Sequence, residues 1–104
     1  RGAVLKRLMD NAPDPFPFSE GGAAAADAGA NLRHRGPPGL DTADWKDTPG
    51  PGNLRADYVL PSASLTVTNS GTFWPAPEDP LRRLVGDNKL ISSDHRLVWV
   101  DIQP

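Results

Sequence analysis

The sequence contains no cysteine and no long apolar run, and these two absences exclude several classes of protein. Without cysteine the chain cannot form disulfides or cysteine metal sites, and it is compatible with an oxidising or a reducing compartment, so localisation stays open. No stretch approaches the roughly 18 apolar residues that predict a membrane span. The chain begins at Arg1 with neither a methionine nor the apolar run of a signal peptide, and we expect it to be part of a longer protein.

The chain also lacks an excess of charge of either sign. Its 11 Lys and Arg residues nearly balance 13 Asp and Glu residues, which gives a formal net charge of −2. This balance offers no electrostatic case for passive binding to nucleic acid or to a membrane surface, so any recognition of phosphate must be local. With 104 residues, the chain is long enough for one small domain with one core.

The composition divides the chain into three parts. Residues 1–10 place four apolar side chains at helical spacing and predict a short amphipathic helix. Residues 11–53 contain 7 Pro, 7 Gly and 8 Ala but only two large aliphatic residues, Leu32 and Leu40, and therefore cannot build a core. Residues 54–104 contain 14 Leu, Val and Ile residues, so the strand-rich core is expected there.

The Pro/Gly/Ala-rich part is interpreted as a flexible linker or a long irregular surface excursion. Its three large aromatic residues, Phe16, Phe18 and Trp45, would be a liability in a solvated tail, so we expect partial docking. Residues 23–30 are alanine-rich and predict a brief helical turn, which the flanking glycines weaken. His34, between two arginines, is interpreted as an exposed loop histidine, with a small anion contact as the alternative.

Three acids in the same part, Asp41, Asp44 and Asp47, recur at every third position. A cation site is one interpretation of this pattern. The ligands of a calcium-binding EF-hand loop alternate along the chain and include a fixed glycine, and this spacing does not match. We therefore expect these three residues to be solvated turn acids.

The last part reads as a series of short strands. Residues 55–60 predict a strand that Pro61 stops, and residues 65–68 alternate apolar and polar side chains as a half-buried strand does. Residues 69–71, Asn-Ser-Gly, predict a turn, after which residues 72–74 resume an extended path.

A compact helix and a final strand complete this part. Asp79 has the properties of an N-cap, with Pro80 at the first helical position and Gly86 just past the end. Residues 97–102 have apolar side chains on both faces, which is typical of a central strand covered on both sides.

An acid and a histidine stand at the head of this last strand. Asp94 and His95 are adjacent, so their side chains point to opposite faces of an extended chain and do not pair readily. Asp57 lies among apolar residues, where an acid is costly unless it is hydrogen-bonded or paired. Asp57 is thus the better partner for one ring nitrogen of His95, which would leave the other nitrogen to handle a proton and Asp94 to face a metal ion or a water. The alternative is a surface Asp94–His95 pair and an Asp57 that caps a backbone amide.

Two segments, Arg-Ala-Asp-Tyr-Val-Leu-Pro-Ser at 55–62 and Ser-Ser-Asp-His-Arg-Leu-Val-Trp-Val at 92–100, resemble the C-terminal signature of the endonuclease/exonuclease/phosphatase family, the DNase I-like superfamily. Residues 41–45, 70–75 and 79–81 are similar to a bacterial branch of that family. The resemblance is good over residues 41–102 and only loose over the first 40.

The resemblance implies an α/β fold: the C-terminal part of a four-layer α/β sandwich, with mostly antiparallel sheet and short helices. It also implies a phosphoesterase, a nuclease or a phosphatase, that depends on Mg²⁺ or Mn²⁺. In the family, the residue matching His95 contacts the scissile phosphate or transfers a proton. The residue matching Asp57 orients that imidazole, and the residue matching Asp94 lies beside the cation or positions the attacking water.

Other parts of the family's site have no counterpart in this sequence. The metal-binding glutamate, an early asparagine and a Gly-Asp-x-Asn motif belong to the region that would precede Arg1, and neither Glu20 nor Asn31, Asn53 and Asn69 has the matching context. We therefore expect an isolated chain of this length to be inactive on its phosphoester or nucleic-acid substrate. We also expect it to self-associate through unpaired strand edges.

A second hypothesis is a non-catalytic, β-rich module of the same fold that binds a partner. It would use the Pro/Gly-rich arm together with Phe73 and Trp74 as its contact surface. A metal-ligand glutamate and a Gly-Asp-x-Asn motif upstream would favour the enzyme.

Overall fold

A computed structural model of the protein describes residues 20–27, 36–86 and 92–103. Several predictions fall outside these residues: the helix over residues 1–10, the docking of Phe16 and Phe18, and the loop position of His34. The described residues form a small mixed α/β structure with antiparallel strands and short helices. None of its helices is long and apolar enough to cross a membrane.

The largest element is a two-stranded antiparallel sheet. Its strands are β3, Thr66–Phe73, and β4, Leu97–Gln103, paired in register from Thr66 opposite Gln103 to Phe73 opposite Leu97. The register shifts by one residue at Thr68. The predicted turn at residues 69–71 is wrong, because these residues pair with β4 in one continuous strand; backbone pairing to a long partner outweighs the local turn preference of Asn-Ser-Gly.

The final strand is less covered than its two apolar faces predict. β4 pairs with a single strand among the described residues, and its terminal apolar side chains are open to solvent, Leu97 at 66% and Ile102 at 48% exposure. Val98, Trp99 and Val100 between them are half-buried. The prediction of a central strand covered on both faces is therefore wrong for the described structure, in which no segment covers the two ends of β4.

Helix α1, Glu20–Asp27, packs against β3 at the core. Ala24 and Ala25 of this helix pack with Trp74, which is 1% exposed, and Ala76 adjoins them. The helix approaches the sheet closely because Gly21 has no side chain: a Cβ there would overlap the carbonyl oxygen of Thr72. The glycine that weakens the helix as a local element is therefore what allows it to dock.

A second, smaller antiparallel pair of strands is linked to the helix by a side-chain hydrogen bond. β1, Ala43–Asp44, pairs antiparallel with β2, Asn53–Leu54. The buried Asn53 donates a hydrogen bond from its side-chain amide to the carbonyl of Ala25 at 3.2 Å, which ties β2 to α1. The predicted strand over residues 55–60 is wrong, since regular pairing ends at Leu54 and the chain continues without a strand ladder.

A 3-10 helix, Pro80–Leu84, follows the sheet where the local signals predict a helix. The Asp79 carboxylate accepts a hydrogen bond from the Leu81 amide at 2.8 Å, so Asp79 is the predicted N-cap. Gly86 has a φ of 85° and ends the turn, as expected for a glycine just past a helix. The helix is shorter and tighter than a regular α-helix, but its limits agree with the prediction.

Replacing Gly21 with alanine should destabilise the protein even though alanine favours a helix. The new methyl group must displace the Thr72 backbone, and overpacking of this kind costs about 1–3 kcal/mol. Urea unfolding followed by circular dichroism measures the change. Ala26→Ser, at an exposed position of the same helix, is the control and should change the free energy of unfolding by less than about 0.5 kcal/mol. Equal stability of Gly21→Ala and the unsubstituted protein would contradict the close packing.

Candidate functional site

The carboxylate of Asp57 and the imidazole of His95 meet at the surface. Nδ1 of His95 lies 2.9 Å from Oδ1 and 2.8 Å from Oδ2 of Asp57. The two residues are 38 positions apart in the sequence, and their side chains are 34% and 43% exposed respectively. The structure thus brings together the acid and the histidine that sequence reasoning paired; their catalytic role stays a prediction.

This contact determines which ring nitrogen of His95 carries the proton. An ionised carboxylate can only accept hydrogen bonds, so Nδ1 of the neutral imidazole must be the protonated nitrogen that donates to Asp57. Nε2 then keeps its lone pair. An imidazole held in this way can accept a proton at Nε2 and, once charged, is stabilised by the adjacent carboxylate.

Thr42 holds the Asp57 carboxylate from the buried side. Its hydroxyl donates to Oδ2 of Asp57 at 2.9 Å. The hydroxyl oxygen of Thr42 also accepts hydrogen bonds from the backbone amides of Ala56 and Asp57, both at 2.9 Å. These two amides are thereby satisfied by a side chain instead of by a neighbouring strand. This explains why the predicted strand over residues 55–60 does not form.

The main chain around Thr42 also fixes the segment that carries His95. Ala43 forms an antiparallel bridge with His95. On either side of this bridge, the Arg96 amide donates to the Thr42 carbonyl at 2.7 Å and the Asp44 amide donates to the Asp94 carbonyl at 2.8 Å. One short extended segment therefore contacts both halves of the site.

Arg96 anchors the site from beneath. It is 6% exposed, and it donates to the Ser93 carbonyl at 2.8 Å and to the Asp44 carboxylate at 3.3 Å. Its guanidinium also lies over the Trp74 ring, 4.9 Å from the centroid. Burial lowers the pKa of Arg96, and the nearby Asp44 carboxylate opposes that shift.

Trp45 packs edge-on against the His95 ring, with 5.5 Å between the centroids and an interplanar angle of 82°. The indole is half-buried, whereas the neighbouring Lys46 is exposed. Trp45 is therefore partly covered, as partial docking predicts, and its contact is with the exposed histidine of the site and not with the core. Edge-to-face contact is a favoured arrangement of aromatic rings and contributes to holding the imidazole in place.

The three regularly spaced acids differ in their surroundings. Only Asp47 is exposed, as a solvated turn acid should be. Asp41 is 1% exposed, and Asp44 forms the ion pair with Arg96. The prediction of three solvated acids is thus wrong for Asp41, which is buried just after the 3-10 helix Pro38–Leu40, and for Asp44, which lies in β1 and pairs with Arg96.

Asp94 is half-buried, and its predicted position beside a divalent cation or a water stays a prediction. Burial lowers the pKa of Arg96, and the Asp94 carboxylate, like that of Asp44, opposes that shift. The described residues contain no group of three or more His, Cys, Asp or Glu side chains that could hold a metal ion. Mg²⁺ takes near-octahedral oxygen ligands, among them water and substrate phosphate oxygens, so Asp94 would supply one ligand of such a site.

Sequence reasoning missed Thr42 and Arg96. The Thr42 hydroxyl accepts hydrogen bonds from amides 14 and 15 positions further along the chain. No local sequence pattern predicts contacts over this separation. Arg96 follows the Asp-His pair at an alternating position, and strand alternation could have placed it on the face opposite His95.

Comparison of the chain with protein families, characterised proteins and solved structures finds no match.

Replacing Arg96 with methionine should lower the free energy of unfolding by roughly 1–3 kcal/mol. Methionine keeps most of the apolar stem but leaves the Ser93 carbonyl without its donor and Asp44 without its cation. Chemical denaturation measures the loss. Arg83→Met is the matched control, since Arg83 is exposed and its replacement should change stability by less than about 0.5 kcal/mol. Equal effects of the two substitutions would contradict the anchoring role.

Proposed function

We propose that this chain contributes one part of the active site of a phosphoesterase, a nuclease or a phosphatase similar to the endonuclease/exonuclease/phosphatase family. The observation that carries the proposal is the Asp57–His95 pair, with the Asp57 carboxylate hydrogen-bonded to Nδ1 and the half-exposed imidazole leaving Nε2 for a substrate. An arrangement of this kind supports proton transfer, and a protonated imidazole also stabilises negative charge on a phosphoryl group.

Each residue of the pair has a defined part in the proposed reaction. His95 accepts a proton at Nε2 from the attacking water, or donates one to the leaving oxygen. Asp57 holds the ring in the tautomer that allows this, and stabilises the imidazolium that forms. The fold assigned with this function is the C-terminal part of a four-layer α/β sandwich, which agrees with the antiparallel strands and short helices of the described residues.

The proposal includes a divalent cation, Mg²⁺ or Mn²⁺, with Asp94 as one of its neighbours. The described residues do not form a metal site by themselves, and we propose that the other protein ligands lie outside them. The steps assigned to His95 and Asp57 involve only the side chains of this chain.

The alternative function, a non-catalytic module that binds a partner through the Pro/Gly-rich arm together with Phe73 and Trp74, has less support. Trp74 is 1% exposed and packs in the core with Ala24 and Ala25, so its indole is not available to a partner. Phe73 is half-buried, and much of the Pro/Gly-rich arm lies outside the described residues, so the burial of Trp74 is what counts against the alternative.

The test is a panel of phosphoesters given to the full-length protein with and without a chelator. The panel contains single-stranded and double-stranded DNA, RNA, a phosphoinositide, sphingomyelin and a phosphomonoester. His95→Ala should lower kcat on the substrate that is cleaved by about 10²- to 10⁴-fold, the usual contribution of a general acid or base. It should leave the circular dichroism spectrum unchanged, because the His95 side chain is at the surface.

The control is His34→Ala, which replaces the other histidine of the sequence and should retain activity. No hydrolysis of any substrate by the unsubstituted protein, or full activity of His95→Ala, would refute the proposed function. Activity that persists in the chelator would remove the cation from the proposal and leave the Asp57–His95 part in place.

Self-association of the isolated chain is a further part of the proposal, supported by the exposed apolar side chains of β4. Sedimentation velocity of the 104-residue chain should show species larger than a monomer, and Leu97→Lys should shift the distribution toward the monomer. Leu84→Lys, at a 44% exposed position on the 3-10 helix, is the matched control and should leave the distribution unchanged. A well-folded monomer at all concentrations would contradict this part.

A further inference from the structure

The Thr42 hydroxyl makes three close polar contacts within the candidate site. The residue is 1% exposed, and its oxygen is within 2.9 Å of three partners: Oδ2 of Asp57 and the backbone nitrogens of Ala56 and Asp57. A hydroxyl has one proton to donate and two lone pairs to accept with. Both amides can only donate, so they occupy both lone pairs, and the single proton must point at the Asp57 carboxylate.

This arrangement fixes the carboxylate in one orientation. Oδ2 of Asp57 accepts from Thr42 on its buried side and from His95 on its exposed side, at 2.9 and 2.8 Å respectively. The Asp57 side chain is 34% exposed, so water competes for its oxygens and the histidine alone would not hold it. The hydroxyl supplies a hydrogen bond to a charged acceptor from a position that water does not reach.

We propose that Thr42 is a positioning residue that orients the Asp57 carboxylate and, through it, keeps His95 in the tautomer with the proton on Nδ1. Its effect on activity rests on the proposed function, whereas its effect on the tautomer does not.

The backbone hydrogen bonds that hold Thr42 beside β1 do not involve its hydroxyl. The main chain of Thr42 is held by its own hydrogen bonds, from its amide to the Leu54 carbonyl at 2.9 Å and from the Arg96 amide to its carbonyl at 2.7 Å. Replacing the hydroxyl leaves these bonds in place. The expected consequence is therefore a change at Asp57 and His95, with β1 still between its neighbours.

The experiment compares Thr42→Val, which has nearly the shape of threonine but no hydroxyl, with Thr42→Ser, which keeps the hydroxyl. Both are made in a His34→Gln background, so that His95 is the single histidine of the sequence. Long-range ¹H–¹⁵N NMR spectra, recorded at a pH where imidazole is neutral, distinguish the Nδ1–H from the Nε2–H tautomer. We expect mainly Nδ1–H in the parent and in Thr42→Ser, and a shift toward Nε2–H in Thr42→Val.

A second readout is the hydrolysis of the substrate that the phosphoester panel identifies, measured with the full-length protein. Thr42→Val should lower kcat by about 10-fold or more with little change in KM, because the wrong tautomer reduces the competent fraction of the enzyme and leaves substrate binding intact. Thr42→Ser should keep kcat within about 3-fold of the parent. Rescue by serine distinguishes positioning by the hydroxyl from a general need for threonine at this site.

Thr42→Val leaves two backbone amides without an acceptor and is therefore the variant most at risk of unfolding. Thr42→Cys then takes its place: a thiol donates and accepts more weakly than a hydroxyl, so the Nδ1–H fraction should lie below that of Thr42→Ser. An unchanged tautomer in Thr42→Val, or in Thr42→Cys where valine does not fold, overturns the proposal, as does a loss in Thr42→Ser equal to that in Thr42→Val. A tautomer shift in a protein that hydrolyses no phosphoester supports the positioning role and refutes only the proposed function.

Discussion

The backbone pairing of β1 on both of its sides is the interaction on which the candidate site depends. On one side Thr42 bonds to Leu54, and on the other Thr42 and Asp44 bond to Arg96 and Asp94. Asp57 follows the first of these neighbours and His95 lies within the second, so two side chains 38 residues apart are brought to one place by a strand of two residues. The same segment supplies the Thr42 hydroxyl and the Trp45 ring, which hold Asp57 and His95 respectively.

Side chains alternate between the two faces of an extended chain, and this alternation places His95 and Arg96 on opposite faces. His95 and Arg96 are adjacent, and the first is exposed whereas the second is 6% exposed. Arg96 holds the segment through Ser93 and Asp44, so His95 is fixed without itself being buried. The same alternation explains why Asp94 is not the partner of His95: its charge acts on Arg96, and the imidazole takes its acid from another segment.

Features of the site and fold that depend on local chemistry could be predicted from the sequence. The Asp79 cap and Gly86 set the limits of the 3-10 helix, and the cost of an isolated acid among apolar residues pointed to Asp57 as the partner of His95. Features that depend on distant contacts could not. Residues 55–60 have the composition of a strand, but the hydroxyl of Thr42 takes two of their amides. Likewise, pairing with β4 keeps residues 69–71 extended despite their turn preference.

The solvent exposure of Asp57 and His95 indicates what fixes their relative orientation. A carboxylate and an imidazole that are 34% and 43% exposed attract each other only weakly, because water screens the charges; surface pairs contribute about 0–1 kcal/mol. The Asp57–His95 contact therefore cannot be explained by stability alone. Its orientation is imposed from the buried side, where Thr42 is 1% exposed. If the chain acts on a phosphoester, a substrate that contacts His95 would exclude water from the pair and strengthen its electrostatics at the step where charge develops. Binding energy of the substrate would then supply the low-dielectric environment that the open site lacks.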